Sequence, residues 1–310
     1  FNGEIKGEIP IEALASKAPL YNRKWTKSKP KKSKINLKDL KKIKVEDALL
    51  KILSSPNHSN KSWVTNQYDQ TVMCDTVQKS GSDAAIIRIH NKDKAIAVCV
   101  DSSANYCKSN PIQGGKQIVC ENWRNLITVG AKPLAITNCL NFGNPEDHEI
   151  MGEFAECLEG IKEACNFLNY PVVSGNVSFY NGTNKKNINP TPVIGGVGLI
   201  KKLSYPLNHH FKKNNSALIL IGKTFGHLEQ SCFLRENYSI NDGLPPEINL
   251  LNEKNNGECL FKLINKNLIL SSHDVSSGGL ITALSEMALS SEFGAKIQKP
   301  KKLTNIFNYF

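Results

Sequence analysis

Apolar residues recur with two different periods along residues 63–310, and these periods predict strands alternating with helices. Apolar residues three to four positions apart predict amphipathic helices at 116–130 and 147–169, and Gly130 stands where the C-cap of the first of these helices belongs. Short apolar or alternating runs, bounded by turn residues, predict strands at 83–90, 94–101, 133–140, 171–178 and 192–200. This ββαβαβ order plus a further strand predicts an α/β (α+β) fold, with helices on one face of a mixed sheet.

A second, smaller unit is predicted after the polar stretch 203–215, which contains proline. Apolar runs predict strands at 216–222 and 267–274, and helical spacing predicts helices at 226–237, 245–267 and 278–291. Upstream, 45–55 predicts a short helix that follows a lysine-rich, solvated stretch at 27–44. We therefore expect a basic linker (1–62), a mixed-sheet domain (63–205) and a partial α/β domain (206–310).

The net charge of +11 lies mostly in the linker. Residues 1–62 hold 15 Lys and Arg against 6 Asp and Glu, whereas residues 63–310 hold 24 against 22. Only four of the basic residues are Arg, and the basic stretch has no aromatic residue between Trp25 and Trp63. A nucleic-acid-binding protein would need arginines interleaved with aromatics on one face, so the charge indicates a solvated linker and a composition bias.

Cysteine usage and hydropathy indicate a soluble cytoplasmic chain with no membrane partner. The nine cysteines include no pair with CxxC spacing, which argues against a zinc or dithiol site. No apolar run approaches eighteen residues, and the first residues do not form a signal peptide. The chain begins at Phe1 and ends in an aromatic run, so we expect it to be part of a longer polypeptide.

Three polar segments follow predicted strands, where ligands bind in open α/β sheets. The first, 101–116, places Gly114 and Gly115 before Lys116, which fits either phosphate binding or a plain helix start. The second, 137–147, is dense in Asn and Thr and fits either a ligand site or a hydrogen-bonded turn network. The third, 172–184, alternates Asn176 and Ser178, whose oxygens are acceptable Mg²⁺ ligands when phosphates supply the charge.

Two further features give weaker indications. His273-Asp274 is a lone dipeptide without spaced carboxylate partners, so a hydrogen bond within a strand-to-helix turn is expected rather than catalysis. The set Gly195-Gly196-Val197-Gly198 lacks the spacing of a dinucleotide fingerprint. Close packing of the strand, against a neighbour or against ligand phosphates, explains those glycines better.

Several strings occur in the order of one known family: WVTNQYDQTV, GSDAAIIRI, TVGAKPLAITNCLNFGNPE, PVVSGNVSFYN, TPVIGGVGLI and SSHDVSSGGL. They resemble the synthetase subunit of phosphoribosylformylglycinamidine synthase, within the aminoimidazole ribonucleotide synthetase-like superfamily. The resemblance spans nearly all of 63–310, and IPIEALASKAPLYNR (9–23) resembles the link between the family's two halves. It implies that this chain is a second half, a ligase component of purine biosynthesis that is inactive alone.

The resemblance also implies site residues and partners. Asn138 and Gly175 would contact ATP, Asn176 would bind Mg²⁺, and Ser178 would contact the ribonucleotide substrate. Many relatives have Asp where Asn138 stands, so a hydrogen-bonding role is expected there. The catalytic histidine is expected in the first half, so no catalytic residue is assigned here. A glutaminase subunit and a small bridging subunit would be the partners.

Two alternatives stay open. Aminoimidazole ribonucleotide synthetase and selenophosphate synthetase share the two-domain fold and bind ATP, although the NFGNPE and SGNVSFYN strings favour the first assignment. The chain would otherwise be a half that binds nucleotide without taking part in catalysis. Substitution of Asn138 and Ser178 separates catalytic from structural roles.

Overall fold

The structure is a computed structural model that describes residues 1–30, 33, 35–36, 40–184, 186–203, 207–297 and 309–310. Its helices are α1 (Ile11–Leu14), α2 (Val45–Leu53), α3 (Ser62–Thr65), α4 (Ala104–Ser109), α5 (Pro111–Thr128), α6 (His148–Leu168), α7 (Cys232–Tyr238), α8 (Leu250–Asn265) and α9 (Gly279–Leu289). Its strands are β1 (Thr76–Gln78), β2 (Ala85–Arg88), β3 (Ala95–Ser102), β4 (Lys132–Asn141), β5 (Val172–Ser178), β6 (Gly182–Thr183), β7 (Lys186–Asn187) and β8 (Thr191–Ile200).

Six strands form one mixed sheet in the order β1-β2-β3-β8-β4-β5. Every neighbouring pair is antiparallel except β4 and β5, which run parallel. The crossover between these two strands contains α6, as a parallel connection requires. The predicted fold class, α/β with a mixed sheet and helices on one face, is confirmed.

Local signals place the two long helices as the periodicity predicts. The side chain of Asn110 caps α5 by accepting from the Gln113 backbone N–H at 3.1 Å, and Pro111 occupies the first helical position. Asp147 caps α6 by accepting from the Glu149 backbone N–H at 2.8 Å. Beyond α5, Gly130 takes a φ of +80°, which ends the helix without the strain that a Cβ would add.

One face of the sheet packs on α5 and α6, and the other face is open. The covered face and the two helices bury a continuous core that includes Ile118, Leu126, Ile136, Ile161 and Ile194. Burial of such side chains from water stabilises the fold by about 1.5–3 kcal/mol each. On the open face, Val100 is 71% exposed, and Ile96 and Val197 are also exposed.

Close packing explains the glycines of β8. A methyl group at Gly196 would overlap the side-chain oxygen of Asn122 and the hydroxyl of Tyr170, which hydrogen-bond to each other at 2.8 Å in the core. A methyl group at Gly198 would press on Ala131 and Leu126. The expected packing of this strand against a neighbour is therefore confirmed, and the neighbour is the helical layer.

The second unit differs from the sequence-based expectation. The predicted strands at 216–222 and 267–274 are wrong for this structure, because neither segment joins a β-ladder among the described residues. An apolar run becomes a strand only where a neighbour pairs with its backbone. Without one, the side chains of Leu218, Ile219 and Leu220 are exposed. The predicted helix at 226–237 begins only at Cys232, because Ser231 caps it.

The upstream region is only partly solvated. Helix α2, predicted at 45–55, packs with α7 in a small core of Ala48, Ile52, Leu228, Phe233 and Leu234. The backbone N–H of Ser28 donates to Glu156 on α6 at 3.0 Å, so the first part of the predicted solvated stretch 27–44 lies against the sheet domain. Residues 31, 32, 34 and 37–39 of that stretch, 204–206 of the predicted boundary and 298–308 near the end lie outside the described residues.

Candidate functional site

The parallel ladder between β4 and β5 brings the four predicted site residues together. Asn138 pairs with Gly175, and the next three rungs of the ladder include Asn176 opposite Cys139 and Ser178 opposite Asn141. The carboxyl ends of parallel strands meet at the same edge of a sheet, which is where ligands bind in open α/β folds. The ladder therefore puts all four residues within one short stretch of that edge.

The same ladder also separates these residues into two pairs, because successive side chains point to opposite faces. Asn138 and Gly175 share the helix-covered face, where a methyl group at Gly175 would overlap the side-chain oxygen of Asn138. The side chain of Asn138 thus lies over the glycine. Asn176 and Ser178 share the open face, where Asn176 is exposed and Ser178 is half-buried.

A hydrogen-bond network joins the loops that follow these two strands. The backbone N–H of Phe142 donates to the Ser178 carbonyl at 3.0 Å, and the N–H of Tyr180 donates to the Gly143 carbonyl at 2.9 Å. The Asn181 side chain donates to the carbonyls of Phe142 and Ser178 at 3.0 and 2.9 Å. These bonds join the end of the Asn-rich segment 137–147 to the loop after β5, as a turn network would, and they fix the carbonyl side of Ser178.

Three side chains close the outer side of this loop pair. Arg23 Nη2 donates to the Tyr180 hydroxyl at 3.1 Å, and that hydroxyl donates to Glu146 Oε1 at 3.1 Å. Arg23 Nη1 lies 3.9 Å from the same carboxylate oxygen, and the guanidinium lies over the Tyr21 ring at 4.8 Å. Sequence reasoning missed this triad, although Arg23 and Tyr180 both lie within strings that carry the resemblance.

Packing accounts for the first predicted segment. Gly114 and Gly115 are buried in the first turns of α5, where methyl groups would overlap Cys107 and the Cys157 carbonyl. The ammonium of Lys116 forms an ion pair with Glu163. These contacts support the helix-start interpretation of the segment over phosphate binding.

His273 lies at a buried junction between the two units, and the expectation that no spaced carboxylates accompany it was wrong. Its Nδ1 lies 2.6 Å from Asp83 Oδ1, and its Nε2 lies 3.1 Å from Glu286 Oε2. The backbone N–H of Asp274 donates to Asp83 Oδ2 at 3.2 Å. The carboxylate partners that the sequence did not place beside the His-Asp dipeptide therefore come from a turn before β2 and from α9.

Charges at this junction are strongly perturbed. Burial alone would lower the pKa of His273, but the hydrogen bonds that its ring donates to Asp83 and Glu286 outweigh burial and raise the pKa to about 10. Burial lowers the pKa of the neighbouring His209 to about 4, and positive His273 adds to that shift. Burial raises the pKa of Glu121 to about 8 and that of Asp274 to about 6, although Arg124 opposes both shifts.

A metal ion is a second interpretation of the junction. The donor atoms of Asp83, His273 and Asp274 lie within 4.8 Å of one another. Both ring nitrogens of His273 lie within hydrogen-bond distance of a carboxylate, and these contacts raise the pKa of the ring to about 10. These contacts favour an ion-pair network that joins the two units, because a ring that donates to two carboxylates has no lone pair for a metal.

A cleft of about 530 Å³ also lies between the two units. Its lining includes Glu121, Arg124 and Lys223, and none of Asn138, Gly175, Asn176 and Ser178 contributes to it among the described residues. The predicted site is thus an open sheet edge. A small-molecule site buries most of its ligand, so this edge needs a second surface to enclose one.

Comparisons with known proteins agree with this fold. Residues 81–200 match the AIR synthase related protein, N-terminal domain, and residues 213–307 match the AIR synthase related protein, C-terminal domain. A phosphoribosylformylglycinamidine synthase subunit PurL from Pelagibacter ubique (strain HTCC1062) is 55% identical over 310 residues. That match covers 100% of this chain and 42% of the relative, so the chain spans less than half the relative's length.

Two solved structures from Thermotoga maritima are also similar. PurL complexed with FGAR superposes with a TM-score of 0.52 at 27% identity, covering 74% of this chain and 33% of that one. The structure of PurLQS gives a TM-score of 0.50 at 30% identity, covering 64% of this chain and 31% of that one. Among the described residues, no helix has the length and apolarity to cross a membrane. With both of its domains matched, this chain belongs to the AIR synthase related protein family.

Proposed function

We propose that this chain is the second half of a phosphoribosylformylglycinamidine synthase subunit. Residues 1–62 link it to a first half, residues 63–205 form the sheet domain, and residues 206–310 begin the second domain. The observation that carries the proposal is the β4–β5 ladder, which gathers Asn138, Gly175, Asn176 and Ser178 at one sheet edge. The 55% identity to the Pelagibacter subunit along the whole chain supports the same assignment.

The proposed reaction is the ATP-dependent amidation of formylglycinamide ribonucleotide with glutamine-derived ammonia, a step of purine biosynthesis. The amide oxygen attacks the γ-phosphorus of ATP, a new P–O bond forms, and the bond to the ADP oxygen breaks. Ammonia then adds to the carbon of the resulting iminophosphate. The C–O bond breaks, phosphate leaves with the former amide oxygen, and loss of a proton gives the amidine.

The residues of this edge bind and orient the reactants rather than transfer protons. Asn138 and Gly175 are assigned to contact with ATP, and the absence of a side chain at Gly175 is what lets the Asn138 amide lie over it. Ser178 contacts the ribonucleotide through its hydroxyl. The loop network fixes the backbone of Ser178 through its carbonyl group. Phosphoryl transfer depends mainly on such positioning and on charge neutralisation. The catalytic histidine is assigned to the first half.

Asn176 fits Mg²⁺ as a single neutral ligand. Its amide is exposed on the open face, and it makes no side-chain hydrogen bond within the described part of the chain. Magnesium takes oxygen ligands and is commonly held by one or two protein groups together with substrate phosphates. When bound, the ion would neutralise charge on the phosphates of ATP.

The open face supports a site shared between two halves. Asn176 and the apolar side chains of Val100, Ile96 and Val197 are exposed on the same side of the sheet. Exposed apolar surface of this kind marks a face that other protein covers. We further propose a cytoplasmic location and a complex with a glutaminase subunit and a small bridging subunit, which the PurLQS structure of the similar protein supports.

The test is a chimera in which these 310 residues replace the matching segment of the Pelagibacter subunit. With ATP, Mg²⁺, ammonia and formylglycinamide ribonucleotide, we expect the chimera to form the amidine and the isolated chain to form none. Substrate labelled with ¹⁸O in the amide should transfer the label to inorganic phosphate. A folded chimera without turnover would indicate a non-catalytic nucleotide-binding half. Unlabelled phosphate would contradict the phosphorylated amide, and turnover by the isolated chain would contradict the shared site.

A further inference from the structure

Arg23 lies far from the proposed ligand residues in sequence but contacts both of their loops. Its partners are Tyr180, two residues after Ser178, and Glu146, in the loop after β4. The side chain of Arg23 is three-quarters buried, whereas the adjacent Lys24 is exposed and makes no side-chain hydrogen bond or ion pair within the described part of the chain. The contact is therefore specific to one side chain of the upstream segment.

The segment that carries Arg23 is fixed along α6 by three further contacts. The Thr26 backbone N–H donates to the His148 carbonyl at 3.0 Å, and the Ser28 N–H and hydroxyl both donate to Glu156. A methyl group at Gly152 would overlap the Thr26 carbonyl oxygen, so only glycine allows the backbone this close to the helix. Residues 23–28 form a docked strap rather than free linker.

The loop that Arg23 holds has a costly backbone conformation. Tyr180 has a φ of 61°, in the left-handed region that a bulky side chain rarely adopts. Such a conformation is unfavourable and persists only where surrounding contacts hold it in place. The hydrogen bonds of the Tyr180 hydroxyl to Arg23 and Glu146 are contacts of this kind, acting from the outer side of the loop.

We infer that Arg23 is a positioning residue, which orients Ser178 toward the substrate by holding Tyr180 against Glu146. Without the guanidinium, Tyr180 loses a donor to its hydroxyl, and Glu146 loses the cation nearest to its carboxylate among the described residues. The loops 142–147 and 179–181 then separate more often, and Ser178 samples more orientations. Only the substrate part of this inference rests on the proposed function, because the loop ordering is a property of the chain itself.

Hydrogen exchange of the 310-residue chain tests the loop ordering. We expect Arg23→Ala to speed exchange about tenfold in peptides covering 142–147 and 178–181, and to leave β3 and α5 unchanged. Arg23→Lys should restore part of the protection, because it keeps the charge and one donor. The matched control is Lys24→Ala, which removes the neighbouring positive charge. Gly152→Ala, which displaces the strap, should reproduce the loop effect.

Kinetics of the chimera test the positioning. We expect Arg23→Ala to raise KM for formylglycinamide ribonucleotide about tenfold and to change kcat less than about threefold, with partial rescue by Arg23→Lys. Unchanged loop exchange, equal acceleration across the whole chain, or a loss in kcat alone would each overturn the inference. An inactive chimera would count against the proposed function, and the exchange experiment would still decide the role of Arg23.

Discussion

The two faces of the six-stranded sheet give side chains very different surroundings. On the covered face, Gly196 lies against the buried Asn122–Tyr170 pair, so even one methyl group has no space. On the open face, Thr137 and Ser174 hydrogen-bond to each other at 2.8 Å and are exposed. The covered face therefore sets the fold, and residues on the open face are free to bind a ligand or another protein surface.

Asn138 and Gly175 are the exception, because they lie on the covered face but at the edge of the sheet, on β5 and on the strand next to it. Asn138 is half-buried and Gly175 is exposed. The two residues pack tightly against each other, as residues of the covered face do, but a ligand can still reach them from solvent. A substitution there should affect binding more than stability, which is the reverse of the expectation for Gly196.

The largest effect expected is that of Gly196→Ala. The added methyl group must displace the Asn122–Tyr170 hydrogen bond from the core, and overpacking of this kind costs about 3 kcal/mol. Urea unfolding of the chain measures it. The control is Gly195→Ala on the opposite face, where the nearest atom is the Thr137 methyl at 3.0 Å and the expected loss is about 1 kcal/mol. Equal losses would remove the distinction between the faces.

Gly175→Ala should act mainly on turnover. Its methyl group would push aside the side chain of Asn138, so we expect about a hundredfold loss in kcat/KM for ATP in the chimera, equivalent to about 2.7 kcal/mol. The unfolding free energy should fall by only about 1 kcal/mol, because Gly175 is exposed on the edge strand β5. A stability loss as large as that of Gly196→Ala would instead make Gly175 a packing residue.

The Asp83–His273 junction joins the sheet domain to the second unit, and its contribution to stability should fall as the pH rises. The pKa of His273 is raised from 6.5 to about 10 in the folded chain. The contribution of His273 to the free energy of unfolding is therefore complete below pH 6.5 and is lost as the pH rises through 10. We expect the free energy of unfolding to fall by about 1 kcal/mol per pH unit between pH 7 and 9. His273→Gln should flatten this slope, and an unchanged slope would show that other groups cause it.

The smallest effect belongs to the open face away from the strand end. Ser174→Ala removes an exposed hydroxyl bonded to Thr137, and we expect a change in unfolding free energy within about 0.5 kcal/mol. Calorimetry of the chain and its variant measures it. A loss above about 1 kcal/mol would mean that this face is already tightly packed in the isolated chain.

How far the sequence predicts this molecule depends on the distance over which each contact acts. The spacing of Ile150, Phe154, Leu158 and Ile161 predicts α6, because a helix forms from neighbouring residues. The run 216–222 is equally apolar, but a strand also needs a partner that local pattern does not reveal. The ladder that gathers Asn138 and Gly175 follows from two parallel strands, whose positions along the chain the apolar runs predict. The ligand contacts that the resemblance implies for these residues stay predictions.

The triad and the junction escaped prediction for the same reason. Arg23 and Tyr180 are 157 residues apart, and His273 and Asp83 are 190 residues apart. Neither pair has a periodicity or a spacing that marks it. Only the path of the upstream strap along α6, and the packing of the second unit on the first, bring these partners together.

The central claim is that the carboxyl end of β5 binds the ribonucleotide through the open face. The most direct measurement compares Ser178→Ala with Ser174→Ala in the chimera, since both remove one hydroxyl from the same face of the same strand. We predict that Ser178→Ala raises KM for formylglycinamide ribonucleotide about tenfold, while Ser174→Ala changes it less than about twofold. Equal effects of the two substitutions, or none from either, would contradict the assignment.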